Sequence, residues 1–269
     1  MPVPTRLPVV FLPGGVTPVA PSYAPLLAEL GDEIQPLLKD LEVYSADEPP
    51  AGYSIQTEVE GLLRAVDAAS LPTFHLVGYS GGGAVTLAFA AEHPERVRSL
   101  AMFEPANVPG VWDAYEQGQW VDFQEGLADL PADRMLAEFT RRQLRPGVDP
   151  PALPAGPPPP WMAQRPAGLR AMMTAFAADA SDRELLRRIA MPVYLAHGLL
   201  TAEYMIHRVQ VLAGLLPDLW IEAYPAVHHF APPQRSQPKR YADALRSLWA
   251  RAEGGRSPSA GADDRTYAA

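Results

Sequence analysis

Residues 73–92 read TFHLVGYSGGGAVTLAFAAE, in which a glycine-rich turn joins two apolar stretches. Residues 73–77 have the composition of a buried strand, and residues 83–92 are typical of a helix. Between them lies GYSGG, with Ser80 at its centre. The small neighbours allow a sharp strand-to-helix turn, so the pattern predicts that the Ser80 hydroxyl projects into a pocket. The backbone N–H of Gly81, at the start of the helix, is expected to point at the same place and to stabilise an oxyanion.

Strand and helix patterns alternate on both sides of this turn. Five further apolar runs have the length of strands: residues 8–12, 41–45, 97–103, 192–196 and 219–224. Helical patterns lie between and after them, at residues 23–30, 54–69, 202–215 and 236–252. Such alternation predicts an α/β fold with a mostly parallel central sheet flanked by helices.

The sequence also predicts how the chain is divided. Residues 1–106 and 191–252 carry the alternating pattern and are expected to form the core. Residues 107–190 are helical and proline-rich, and we expect an inserted helical cap over the carboxyl ends of the strands. Aromatic and methionine side chains in this cap favour an apolar pocket. Residues 253–269 are Gly, Ser, Ala and Asp without a period, which is typical of a flexible tail.

Composition excludes several classes of protein. The 269 residues carry a formal net charge of −9, which argues against nucleic acid or an anionic membrane as a partner. The absence of cysteine excludes disulfides and thiolate metal sites. Histidine and acidic residues show no metal-ligand spacing, and the glycine-rich turn lacks the Lys and Ser/Thr of a phosphate loop, so no cofactor is expected. Without a signal peptide or a long apolar run, the expected location is the cytoplasm. No heptad pattern indicates an oligomeric state.

The Ser80 turn and its flanking elements resemble the α/β-hydrolase superfamily, over nearly the whole chain from residue 8 to about residue 252. The resemblance implies that Ser80 is a nucleophile and that the backbone N–H of Gly15 is a second oxyanion donor beside Gly81. The family's oxyanion loop usually begins His-Gly, whereas this chain has Leu12-Pro13-Gly14-Gly15-Val16. The loop therefore lacks the bracing hydrogen bond of that histidine, while the donor itself remains.

A serine hydroxyl needs a base, and two of the six histidines follow the last predicted strand in YPAVHHFAPP. The family carries its histidine at this point of the chain, often with an aromatic or apolar residue after it. We therefore expect His229, which precedes Phe230, to be the base, with His228 as the alternative.

The acid departs from the family pattern. The usual sequence after the fifth strand is like His-Gly-x-x-Asp, but here it is His197-Gly198-Leu199-Leu200-Thr201. A minority branch of the superfamily, which includes some haloalkane dehalogenases and lactone hydrolases, takes its acid from the end of the strand after the nucleophile. Glu104 stands there, 24 residues after Ser80. We expect Glu104 to be the acid, with Glu203 as the alternative.

These residues together predict a serine hydrolase that cleaves a small carboxylic ester or lactone through an acyl-enzyme at Ser80. Two alternatives stay open. The same three side chains could serve a carbon–carbon bond hydrolase or a perhydrolase, and the unusual acid position is compatible with a non-catalytic ligand-binding scaffold.

Overall fold

A computed structural model of the chain describes residues 6–110, 112–151 and 156–254. Six strands form one sheet: β1 (Leu7–Leu12), β2 (Ile34–Leu38), β3 (Phe74–Tyr79), β4 (Val97–Phe103), β5 (Val193–Gly198) and β6 (Leu219–Tyr224). The spatial order is β2-β1-β3-β4-β5-β6, and all neighbouring strands are parallel. The predicted α/β fold with a parallel sheet is confirmed.

Nine α-helices lie in the described part of the chain. They are α1 (Val19–Leu30), α2 (Ile55–Ala68), α3 (Gly81–Glu92), α4 (Ala114–Ala128), α5 (Ala132–Arg141), α6 (Arg165–Ala177), α7 (Glu203–Leu215), α8 (Pro233–Ser236) and α9 (Pro238–Ala252). Among the described helices, none is both long and apolar enough to cross a membrane.

Both faces of the sheet are covered, because neighbouring residues of each strand point to opposite sides. On one face, Val9 and Phe11 of β1 pack with residues of α1 and α9. On the other, Val10 and Leu12 pack with residues of α2 and α3. Buried side chains on both faces explain why the strands appear in the sequence as continuous apolar runs.

The predicted strand at residues 41–45 is wrong. The second strand is Ile34–Leu38, and a short 3₁₀ helix occupies Glu42–Tyr44. The carboxylate of Glu58, on α2, accepts hydrogen bonds from the backbone N–H groups of Glu42 and Val43 at 2.8 and 3.0 Å. Those amides are therefore satisfied without a sheet ladder. The true strand tolerates Pro36 because β2 is an edge strand, where a missing N–H leaves no neighbour unpaired.

The long connection between β4 and β5 contains α4, α5 and α6. The division into a core and a cap at residues 107–190 stays a prediction. The predicted tail, residues 253–269, lies outside the described residues except for Glu253 and Gly254. Glu253 is paired with Arg98 of β4, with Oε1 3.0 Å from a guanidinium nitrogen.

The order of the strands fixes where a site can form. The chain adds β2 on one side of β1 and β3 on the other, so the loops after β1 and β3 diverge at the carboxyl edge of the sheet. Ligands of open α/β sheets bind at such a switch point. Gly15 and Ser80 lie in these two loops.

Candidate active site

Ser80 occupies the single residue between β3 and α3, and its backbone has φ 52° and ψ −117°. A residue with a side chain adopts this left-handed conformation only when its surroundings hold it there. Two backbone hydrogen bonds do so: Ser80 N–H donates to the Phe103 carbonyl at 3.1 Å, and Ala106 N–H donates to the Ser80 carbonyl at 2.9 Å. The end of β4 thus fixes the turn that carries the hydroxyl.

Gly82 explains why the turn needs glycine. Its N–H donates to the Pro13 carbonyl at 2.9 Å, and a Cβ atom at this position would lie 2.4 Å from that oxygen. Any side chain would push away the loop after β1. Glycine therefore brings the Gly15 loop against the start of α3.

His229 lies in the loop after β6 and is 1% exposed. Its Nε2 is 2.9 Å from Ser80 Oγ, and its Nδ1 is 2.7 Å from Glu104 Oε2. The Tyr79 hydroxyl donates to the His229 carbonyl at 2.6 Å, which fixes the backbone of the loop. With the Nδ1 proton directed at a carboxylate, Nε2 is the unprotonated nitrogen that faces the Ser80 hydroxyl.

Glu104 immediately follows β4 and, like Ser80, has a positive φ, here 42°. Its carboxylate is buried, which is costly unless both oxygens have donors. While Oε2 faces His229, Oε1 accepts hydrogen bonds from the Gly198 backbone N–H and the Thr201 hydroxyl, each at 2.7 Å. Thr201, at the position where the family usually has its aspartate, is thus a donor to Glu104.

The structure does not bring the two alternative residues into this arrangement. Nδ1 of His228 accepts a hydrogen bond from the Phe230 backbone N–H at 3.2 Å, and burial lowers the pKa of its imidazole. Glu203 is the exposed first residue of α7 and forms no side-chain hydrogen bond with any described residue. Ser80, His229 and Glu104 are the residues that the structure places in one hydrogen-bonded chain.

The two predicted oxyanion donors border the same space. A Cβ atom on Gly81 would lie 3.6 Å from the backbone nitrogen of Gly15. Neither amide donates a hydrogen bond to any other described residue. Gly81 is also the first residue of α3, where N–H groups are unpaired and the helix dipole is positive.

Tyr44 supports the Gly15 loop, and the sequence did not indicate it. Its hydroxyl donates to the Gly15 carbonyl at 2.6 Å. The guanidinium carbon of Arg165, on α6, lies 3.7 Å from the centre of the Tyr44 ring. Tyr44 lies in the 3₁₀ helix at Glu42–Tyr44, where the sequence pattern predicts a strand. Nothing in that pattern indicates a contact with Gly15.

Comparison with known proteins identifies the fold family of the chain. A sequence profile described as alpha/beta hydrolase fold matches residues 8–152. The chain belongs to this family. The bifunctional biotin biosynthesis protein BioHC of Teredinibacter turnerae is 24% identical over 270 residues, which cover 92% of this chain and 45% of that protein.

Two further similarities cover less of the chain or have lower sequence identity. The 2-hydroxy-6-oxo-2,4-heptadienoate hydrolase of Pseudomonas putida is 34% identical over 106 residues, 38% of each chain. The matched segments span less than half the length of these curated relatives. A thermophilic esterase of Thermogutta terrifontis has the same fold, with a TM-score of 0.64, 19% identity and coverage of 92% of this chain and 91% of that one.

A cavity opens in front of Ser80 in this alpha/beta hydrolase. Its walls are mainly apolar and include Trp120, Phe123, Leu169, Met172 and Phe176. The cavity volume is about 40 Å³, so it admits a small group. Of the described residues that line it, Arg208 alone carries a charge.

The described part of the chain contains no group of three or more His, Asp or Glu side chains arranged to hold a metal ion.

His197 is buried beside the site but forms no hydrogen bond with Ser80, His229 or Glu104. Its Nδ1 has no hydrogen-bond partner among the described residues, and burial lowers the pKa of its imidazole.

Proposed function

We propose that the chain is a serine hydrolase that cleaves a small carboxylic ester or lactone through an acyl-enzyme at Ser80. The observation that carries this proposal is the hydrogen-bonded chain from Ser80 Oγ through the imidazole of His229 to the carboxylate of Glu104. Its distances, 2.9 and 2.7 Å, lie within the range for proton transfer from a serine to a positioned base.

In the first half of the reaction, Ser80 Oγ attacks the carbonyl carbon while its proton moves to Nε2 of His229. The buried carboxylate of Glu104 stabilises the imidazolium that forms. The negative charge on the former carbonyl oxygen is met by the N–H groups of Gly15 and Gly81. Collapse of the tetrahedral intermediate breaks the ester bond, and the leaving alkoxide takes the proton from Nε2.

In the second half, water replaces the alcohol. His229 removes a proton from the water, the hydroxide attacks the acyl carbon, and Ser80 Oγ leaves with the proton from Nε2. The acid is released and the side chains return to their initial state. A serine nucleophile argues against dehalogenation, which needs a carboxylate at this position.

A second candidate is hydrolysis of a carbon–carbon bond by the same three residues. It is favoured by the local similarity to two relatives named 2-hydroxy-6-oxo-2,4-heptadienoate hydrolase and 2-hydroxymuconate semialdehyde hydrolase. These matches cover 38% and 35% of the chain, so the candidate stands behind ester hydrolysis.

The test compares turnover of p-nitrophenyl esters, lactones and 2-hydroxy-6-oxo-2,4-heptadienoate by the wild type and by Ser80→Ala. Ser181→Ala, which alters an exposed serine, is the matched control. We expect ester or lactone turnover by the wild type and the control, and none above background by Ser80→Ala. Turnover of the dienoate alone would replace the ester proposal by the second candidate. A folded wild type that turns over none of them would favour a non-catalytic scaffold.

A further inference from the structure

Arg208 lies on α7, in the wall that separates two adjoining cavities. The first cavity contains Ser80 and Gly15, and the second opens beside it toward Asn107 and Glu116. Arg208 lines both, as do Gln119, Trp120 and Tyr204. A molecule whose reacting carbonyl lies at Ser80 therefore has a cation within the same enclosed space.

Arg208 has no anionic partner among the described residues. It forms no ion pair and no side-chain hydrogen bond, and its guanidinium carbon lies 4.9 Å from the centre of the Tyr204 ring. An aromatic ring orients an arginine but accepts none of its hydrogen bonds. Arg208 is only partly exposed, and shielding a cation from solvent without an acceptor costs free energy that a bound anion would offset.

Two other arginines near these cavities, unlike Arg208, form ion pairs with acidic side chains. Arg183 makes a two-pronged ion pair with Glu116, at 2.8 and 3.1 Å. Arg142 contacts Glu138 at 2.7 Å and Asp122 at 3.1 Å. Glu116, which lines the second cavity, is thus already paired with Arg183, and Arg208 has no ion-pair partner among the described residues.

Two more N–H donors lack partners around Arg208. The indole Nε1 of Trp120 lies in the wall of both cavities, is buried and has no acceptor among the described residues. The side-chain nitrogen of Asn107, in the second cavity, is also buried without an acceptor. An indole N–H only donates and cannot be satisfied by a donor. Three donors without acceptors among the described residues favour a ligand rich in acceptor atoms.

We propose that Arg208, with Trp120 and Asn107, binds a carboxylate of the substrate, so that the preferred substrate carries a free carboxylate besides the bond that is cleaved. This inference rests on the proposed function, because it places the cleaved carbonyl at Ser80. It narrows the substrate class to half-esters of dicarboxylic acids and to esters or lactones with a similar acidic group. The apolar wall between the two ends holds the intervening carbon chain.

Kinetics with two matched esters provide the test. Mono-p-nitrophenyl glutarate carries the free carboxylate, and its methyl ester has the same chain without charge. We expect wild-type kcat/KM to be at least about tenfold higher for the carboxylate, as for a charge-assisted hydrogen bond. Arg208→Gln should abolish this preference, so that kcat/KM for the carboxylate falls to that for the methyl ester measured with the same variant. Arg64→Gln, which removes the same charge from an exposed position on α2, should keep the preference. Trp120→Phe keeps an aromatic ring without the donor and should weaken the preference.

A binding measurement separates failure of this inference from failure of the proposed function. Monomethyl glutarate is titrated into Ser80→Ala and into the Ser80→Ala, Arg208→Gln double variant by calorimetry. We expect at least about tenfold weaker binding to the double variant. If no ester is hydrolysed but this difference is found, the proposed function fails and the anion site stands. If the neutral ester is hydrolysed at Ser80 but the wild type shows no preference for the carboxylate, the inference is overturned alone. Equal affinity for the two proteins, or binding to neither, also overturns it.

Discussion

Glu104 combines deep burial with a strained backbone, and both features affect how its carboxylate contacts His229. Its positive φ turns the side chain away from the strand direction, toward the ends of β5 and β6. Gly198, Thr201 and His229 then supply a hydrogen bond each. Removing the charge while retaining the shape would leave His229 without an anion at Nδ1 and could invert its tautomer.

We therefore predict that Glu104→Gln lowers kcat by about 10³- to 10⁴-fold, as expected for the loss of a buried acid that orients a catalytic histidine. The measurement is steady-state hydrolysis of p-nitrophenyl acetate, with circular dichroism to check folding. Glu203→Gln is the control, since its exposed side chain forms no hydrogen bond to the described residues, and it should retain wild-type kcat. Normal activity of Glu104→Gln together with loss in Glu203→Gln would reverse the assignment of the acid.

Tyr44 provides a second prediction at the same scale. Tyr44→Phe removes the hydroxyl that donates to the Gly15 carbonyl, while the ring still contacts Arg165. A less well fixed Gly15 amide stabilises the oxyanion less, so we expect kcat to fall about tenfold with little change in KM. Tyr115→Phe, at an exposed tyrosine, should have no such effect. An unchanged kcat for Tyr44→Phe would show that the loop needs no support from this hydroxyl.

The sequence predicts a site residue only where its neighbours along the chain form a recognisable motif. Ser80 stands in a motif that the flanking strand and helix make specific, and the positions of Glu104 and His229 follow from the order of strands in a known family. The structure brings these three side chains together, and their roles stay a prediction. Tyr44 and Arg208 come to the site through packing of distant segments, and nothing near them in the sequence marks them.

At the level of elements, the error at β2 has a clear physical reason. Residues 41–45 contain Leu41, Val43 and Tyr44 in a run of strand length, whereas β2 contains Pro36, which disfavours a strand. The decisive contact is the Glu58 carboxylate, which satisfies the backbone N–H groups of Glu42 and Val43 from 15 or 16 residues away. A local pattern cannot report such a contact. The other five strands were predicted to within about two residues, the usual uncertainty of element ends.

The contact between β3, β4 and α9 contains a buried histidine that does not belong to the candidate site. His75 of β3 is fully buried, with Nδ1 2.8 Å from Ser99 Oγ on β4 and its ring 5.7 Å from that of Trp249 on α9. Burial lowers its pKa from 6.5 to about 4, with Arg98 acting in the same direction and Glu253 against it.

This shift predicts how stability depends on pH. Because the unfolded chain binds the proton at a higher pH than the folded one, the contribution of His75 is complete above about pH 6.5 and is lost as the pH falls toward about 4. The loss is at most about 3 kcal/mol in the free energy of unfolding. Urea denaturation between these pH values should therefore show a steeper decline for the wild type than for His75→Asn, whose amide does not titrate. Parallel curves for the two proteins would contradict the prediction.

Over the whole molecule, the candidate site joins residues that are far apart in the chain. Gly15, Ser80, Glu104, Thr201 and His229 follow β1, β3, β4, β5 and β6 in turn. Because all the strands are parallel, their carboxyl ends share one edge, and the chemistry at this edge depends on the complete sheet. The alternating sequence pattern was sufficient to predict this architecture, since both faces of a parallel sheet must be covered.

We propose that the hydroxyl of Ser80 is a nucleophile activated by His229. Intact-mass spectrometry after treatment with a fluorophosphonate tests it most directly, with peptide mapping to locate the adduct. We expect one adduct per chain, on Ser80, and no adduct on Ser80→Ala. Labelling should be slowed by orders of magnitude in a folded His229→Ala variant. A folded wild-type protein that stays unlabelled, or one labelled equally well after Ser80→Ala, would contradict it.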